Sequence, residues 1–193
     1  MKLPVNEVYI SVDIEADGPI PGENDYSMVS IGACVVDDPE KAFYEELRPI
    51  SPQWKPEALA VSGFTREQTL GFAHPHPAMQ RFADWLDQLY GQCTILYGGK
   101  WVIFPRLVMV GFNAAFDWMF VNWYFHHFVG RNPLGISALD IKALYMGAAK
   151  CNWGETSMAL LPDALKPATG LTHNALDDAR DQASIFQRVR ELG

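Results

Sequence analysis

The sequence predicts a single α/β domain over residues 1–193, with a mixed central β-sheet (an antiparallel meander plus parallel strands) flanked by helices. Two observations carry that prediction. Three β-rich runs fall within the first fifty residues, joined by breaks that suit a meander. From residue 77 onward most stretches carry apolar residues at helical spacing, interrupted by one short apolar strand. Length and balance agree: 193 residues, 49% hydrophobic and 20% charged, are enough to bury one core.

In chain order, Tyr9–Val12 reads as a strand that ends in Asp13 and Glu15. The turn-rich Gly18–Asp25 leads to a second strand over Met28–Val36. Asp37-Asp38-Pro39 is expected to break the chain before a third strand at Ala42–Leu47. Residues 48–56 hold Pro49, Pro52 and Pro56 and exclude a regular element, while Pro56-Glu57-Ala58 can open a short helix. Thr65 and Gln68 match a capping box. Pro77–Tyr90 reads as a helix through Phe82, Trp85, Leu86 and Leu89, Leu107–Val110 as a strand, and Ala114–Phe128 as an aromatic helix stopped at Gly130–Pro133. Helices are expected at Ala138–Ala148, around Ser157–Leu165, and from Ala175 to Leu192. The stretch 91–106, with Tyr97, Trp101 and Phe104 around Gly98-Gly99, is a candidate hairpin insertion that could cover an edge or an interface.

The net charge is −8, from 15 basic and 23 acidic residues, which argues against coating long nucleic acid by charge alone. Three sparse cysteines, Cys34, Cys93 and Cys151, make neither a disulfide scaffold nor a zinc knuckle. With no secretory opening and no clean membrane span, a reducing, cytoplasmic setting is expected.

The acids carry the chemistry. A strand repeats every two residues, so Asp13 and Glu15 leave one face together and repel unless a cation or protons lie between them. Such a strand end is a candidate divalent-metal anchor, although acids also simply close strands. Asp117, in G-F-N-A-A-F-D, and His173 with Asp178, in H-N-A-L-D-D-A, open two later helices, where dipole partnering and capping are the structural alternatives. With Asn174 as N-cap, Asp177 is expected to bond back to the Asn174 amide. Asp178 points about 100° away, at the border of the buried face, and needs a partner. A metal shared with Asp13 and Asp117 would be one.

These motifs resemble the DEDDh branch of the DnaQ-like (RNase T-like) 3'-5' exonucleases, in the ribonuclease H-like superfamily. D-x-E matches Asp13 and Glu15, an Asn followed four residues later by Asp matches Asn113 and Asp117, and H-x-A-x-x-D-A matches His173, Ala175, Asp178 and Ala179. Pro56–Thr65 and Asp140 also fall where the family has its segments, and the resemblance spans nearly the whole chain. It implies two Mg²⁺ or Mn²⁺ ions held by Asp13, Glu15, Asp117 and Asp178, with Asp13 bridging them and His173 as general base. The implied reaction hydrolyses phosphodiester bonds at single-stranded or frayed 3' ends of DNA or RNA, releasing nucleoside 5'-monophosphates. Ala16 and Asn113 are expected substrate contacts, and Met28 and Phe64 are candidates to stack on or wedge a terminal base, with ordinary core packing as the favoured structural alternative.

Two departures bear on substrate. Ala16 lacks the hydroxyl that many relatives carry there, and Asp17, expected to face solvent or a turn, adds a charge. Ser62 stands where the family has a histidine. Trp118 is expected to cover the core. Lys100, Arg106, Arg131, Lys150 and Lys166 are candidate phosphate contacts, unclustered in sequence. A homodimer is a further expectation. The competing readings are a non-catalytic binding subunit that kept the fold and a phosphodiesterase acting on short (di)nucleotides.

Overall fold

The computed structural model describes residues 6–90, 94–97, 100–103, 105–167 and 172–192. A five-stranded sheet runs in the order β3-β2-β1-β6-β7, with β1 Asn6–Ala16, β2 Met28–Val35, β3 Asp38–Glu46, β6 Pro105–Gly111 and β7 Ala138–Asp140. The first three strands form the antiparallel meander, and β6 and β7 join it in parallel. A separate pair, β4 Thr94–Tyr97 and β5 Lys100–Ile103, is antiparallel. A turn expected at Gly99-Lys100 is only partly described: Lys100 already belongs to β5, opposite Tyr97, and Gly99 lies outside the described residues.

Alternation along β1 separates core from chemistry. Ile10, Val12, Ile14 and Ala16 join the cluster of α3 (Pro75–Tyr90) and α4 (Ala114–Phe128), around Phe82, Phe120, Tyr124 and Phe125. Tyr9 packs on the opposite cluster, built on α5 (Ile141–Ala149) and α6 (Ala175–Arg190) with Ile185, Phe186 and Val189. By the same alternation Asp13 and Glu15 face α6. Two short helices, α1 (Pro56–Val61) and α2 (Arg66–Leu70), follow the meander; α1 has proline in its first turn and α2 carries the expected Thr65–Gln68 capping box.

Several expected boundaries move for physical reasons. Pro39 lies inside β3 rather than in a break, because β3 is the sheet edge and the register with β2 slips between Cys34 and Val35. An edge strand tolerates a missing N–H. The expected helix at Ala138 starts only at Ile141. Asp140 is its N-cap, accepting bonds from the Lys142 and Ala143 amides, so Ala138–Asp140 stays extended and pairs with Met109–Gly111. The helix expected around Ser157–Leu165 is only a 3₁₀ turn, Met158–Leu160, preceded by another at Trp153–Thr156. No helix among the described residues is long and apolar enough to cross a membrane.

Candidate active site

The site lies at the carboxyl ends of the parallel strands β1, β6 and β7, where this sheet class binds ligands. β1 pairs with β6 only as far as Ser11, so from Val12 to Ala16 that edge of β1 has no strand beside it. Asp117, one turn into α4, uses the opening: its carboxylate accepts from the Ile14 amide at 3.2 Å, between Asp13 and Glu15. Asn113 makes the turn into α4 in the left-handed region (φ 70), which asparagine tolerates, and its side chain makes no capping bond.

Helix α6 approaches because Gly32 lets it. Gly32 is the β2 partner of Asp13, and a Cβ there would collide with the Ala175–Leu176 backbone. The helix start therefore lies directly on β2. Asp178, 3% exposed, turns back to accept from the Thr172 amide at 2.9 Å, the Thr172 hydroxyl at 3.3 Å and the His173 amide at 3.1 Å. These bonds hold His173 at φ 56, a left-handed conformation that is uncommon outside glycine. Asp177 does not form the expected bond to the Asn174 amide. That amide donates to Thr172 Oγ1, and Asp177 is exposed beside Arg180.

Asp13, Glu15, Asn113, Asp117, His173 and Asp178 thus line one cavity of about 230 Å³, with Phe112, Phe116, Met158 and Gln182. Donor atoms of Glu15, His173 and Asp178 lie within 4.8 Å of one another, so this cluster could hold one metal ion. The electrostatics fit a cation. Burial, then neighbouring Asp117, Glu15 and Asp178, hold the Asp13 carboxyl well above its ordinary range. Burial, then Asp178 and Asp117, push Glu15 to about 8, and burial pushes Asp117 to about 7. No described Lys or Arg forms an ion pair with any of the four acids. A cluster of carboxylate oxygens with one imidazole nitrogen suits a divalent ion.

The comparisons agree with this geometry. No protein-family model matches the chain. Over 187 residues it is 42% identical to the 3'-5' DNA exonuclease Cap18 of Escherichia coli, covering 96% of this chain and 93% of that protein. The chain belongs to the DEDDh, DnaQ-like 3'-5' exonucleases. Solved structures share the fold: the nuclease domain of 3'hExo, a DEDDh family member bound to rAMP, has a TM-score of 0.69 at 18% identity over 96% of this chain and 91% of that one. The cell-death related nuclease CRN-4 gives 0.65 at 14% identity, over 96% and 64%. The protein is accordingly a metal-dependent 3'-5' exonuclease.

Not every expected residue lies at this exonuclease site. Met28 is fully buried in the core, with its amide bonded to the Tyr124 hydroxyl at 2.8 Å, and offers no surface to a base. Phe64 packs edge-on against Phe72 with ring centroids 5.0 Å apart and lines neither cavity of the site. Ala16 lines a second cavity of about 380 Å³ that shares Ile14, Glu15 and Phe116 with the first. Asp17 does not face solvent. It is fully buried, accepting from the Ser27 amide and from Arg66 at 2.7 Å, while Arg66 also donates to the Ser51 carbonyl. Ser62 bonds locally, donating to the Leu59 carbonyl, and Trp118 packs on the core. Arg131 pairs with Asp87 and Lys166 with Asp163, so neither is a dedicated phosphate contact.

Two side chains were missed. Phe116 walls both cavities, and Gln182 donates to Asp13 Oδ1 at 2.5 Å. A signal for Gln182 exists: it follows Asp178 by four residues, a polar group on the same helix face among alanines.

Proposed function

We propose that the chain removes nucleotides from the 3' end of single-stranded DNA, with Asp13, Glu15, Asp117 and Asp178 holding two Mg²⁺ or Mn²⁺ ions. The carrying observation is that donor atoms of Glu15, His173 and Asp178 gather within 4.8 Å in the cavity that Asp13 and Asp117 also line. When bound, the ions supply an acidified water and offset charge on the phosphate and the leaving oxygen. His173, exposed at the mouth, takes the proton from the attacking water at a ring nitrogen. Asp178 holds the His173 backbone through its amide, and Asp117 holds β1 through the Ile14 amide. Asn113 and the wall of Ala16, Lys55, Val61 and Phe116 receive the terminal nucleotide. Similarity to a DNA exonuclease supports DNA over RNA. The reading extends to a reducing, cytoplasmic setting, in keeping with the free Cys34 and Cys151, and to a homodimer.

The test uses 5'-labelled single strands of DNA and RNA, with free and blocked 3' ends, with and without Mg²⁺ or Mn²⁺. Stepwise shortening of free-ended DNA, metal-dependent and faster than of RNA, is expected. Cleavage confined to dinucleotides would replace this reading with the phosphodiesterase one. Cleavage of blocked ends would rule out 3' polarity.

A further inference from the structure

Gln182 links the helix that carries Asp178 to β1 and to the turn that leads into α4. It sits on α6, one helical turn after Asp178, and is 3% exposed. Its Oε1 accepts from the Phe112 amide at 2.8 Å, in the turn that leads through Asn113 to Asp117. Its Nε2 donates to Asp13 Oδ1 at 2.5 Å, on β1. The orientation of the amide follows from this pairing. A backbone N–H can only donate, so the oxygen of Gln182 must face Phe112 and the nitrogen must face Asp13.

We propose that Gln182 is the positioning residue that fixes the Asp13 carboxylate for metal binding. This rests on the metal-site reading above. Asp13 lies in one cavity with Glu15, Asp117 and Asp178, whose charges repel its own. A hydrogen bond from a neutral amide holds one oxygen in place and leaves the other for a cation. Lysine or arginine at this place would hold Asp13 equally well but would cancel the charge that attracts the ion. A carboxylate would have no donor to offer. Distance is set by the close approach at Gly32, which brings α6 onto the strand beside Asp13. Gln182 also ties α6 to the β6–α4 turn, alongside the bond from the Ile14 amide to Asp117.

Two variants separate positioning from packing. Gln182→Met keeps the length and removes both polar contacts. Gln182→Glu keeps an oxygen for the Phe112 amide, exchanges the amide donor to Asp13 for a carboxyl, and adds a negative charge when ionised. Mn²⁺ binding to the protein alone is measured by calorimetry, folding by circular dichroism, and kcat and KM on a single-stranded oligonucleotide. Both folded variants are expected to bind Mn²⁺ about tenfold or more weakly, with kcat down by a similar factor and KM within about threefold, as when a metal ligand's outer partner is lost. If folded Gln182→Met binds Mn²⁺ as tightly as the unchanged protein, Gln182 does not position Asp13 and the proposal is overturned. An unchanged protein that binds no Mn²⁺ would instead overturn the metal-site reading beneath it.

Discussion

Two buried acidic regions lie within a few residues of each other on the chain and solve the same problem differently. Asp17 is fully buried, yet the protein supplies its partners, Arg66 and the Ser27 amide. Arg66 in turn reaches the Ser51 carbonyl, closing a network that ties the chain after β1 to α2. Asp13, Glu15, Asp117 and Asp178 receive backbone amides, the Thr172 hydroxyl and one glutamine, but no described cation. Burying a carboxylate without a counter-charge is costly. A region compensated from within is structural; a region left uncompensated has its partner outside the chain. The second kind marks the active site.

Removing an acid from the uncompensated region should have the largest effect. Asp178→Asn is expected to lower kcat on 3'-ended oligonucleotides by about 10³-fold or more while the fold persists. Wild-type turnover by this variant would dissolve the distinction between the regions. Removing the partner from the compensated region should act on stability instead. Arg66→Ala strands a buried charge and should cost about 3–5 kcal/mol in denaturant unfolding.

The regions should also differ in how pH acts. Glu15 titrates near 8 and Asp117 near 7 in the folded chain, against ordinary values of 4.5 and 3.8. Between those limits the folded chain binds more protons than the unfolded one, so stability must fall as pH rises. Without metal, Tm is expected to drop by on the order of 5 °C from pH 5 to pH 8, and the Tm gain on adding Mg²⁺ should grow over the same range. A metal-free Tm that rises through this window contradicts the site electrostatics. The smallest effect is expected just outside the site. Asp177→Ala removes an exposed acid beside Arg180 and should change stability by no more than about 0.5 kcal/mol and leave kcat intact.

The site was more legible than its surroundings. The five side chains that meet in one cavity, Asp13, Glu15, Asp117, His173 and Asp178, are legible because residue type and spacing are local properties of a strand end and two helix starts. Helix α4 was readable to the residue, since Asn113 and Gly130 both sit at positive φ at its ends. β7 was not, because three residues become a strand only when β6 lies alongside. Pro39 misled because nothing local says that β3 is an edge. Met28, a candidate substrate contact with core packing as its alternative, belongs to the core, its amide bonded to the Tyr124 hydroxyl.

By itself the sequence determined the three-strand meander, helices α4 and α6, and the placement at element ends of the four acids and the histidine that line one cavity. Those are consequences of backbone periodicity and capping, which act within a few residues. Tertiary structure alone decided which acids share a cavity, that Asp17 is neutralised by Arg66 from 49 residues away, and that Gln182 holds Asp13 from 169 residues away. Those contacts depend on the approach of α6 at Gly32 and on how far β1 outruns β6. Such distances exist only once the sheet is assembled, because a carboxylate's partner is chosen by proximity in space.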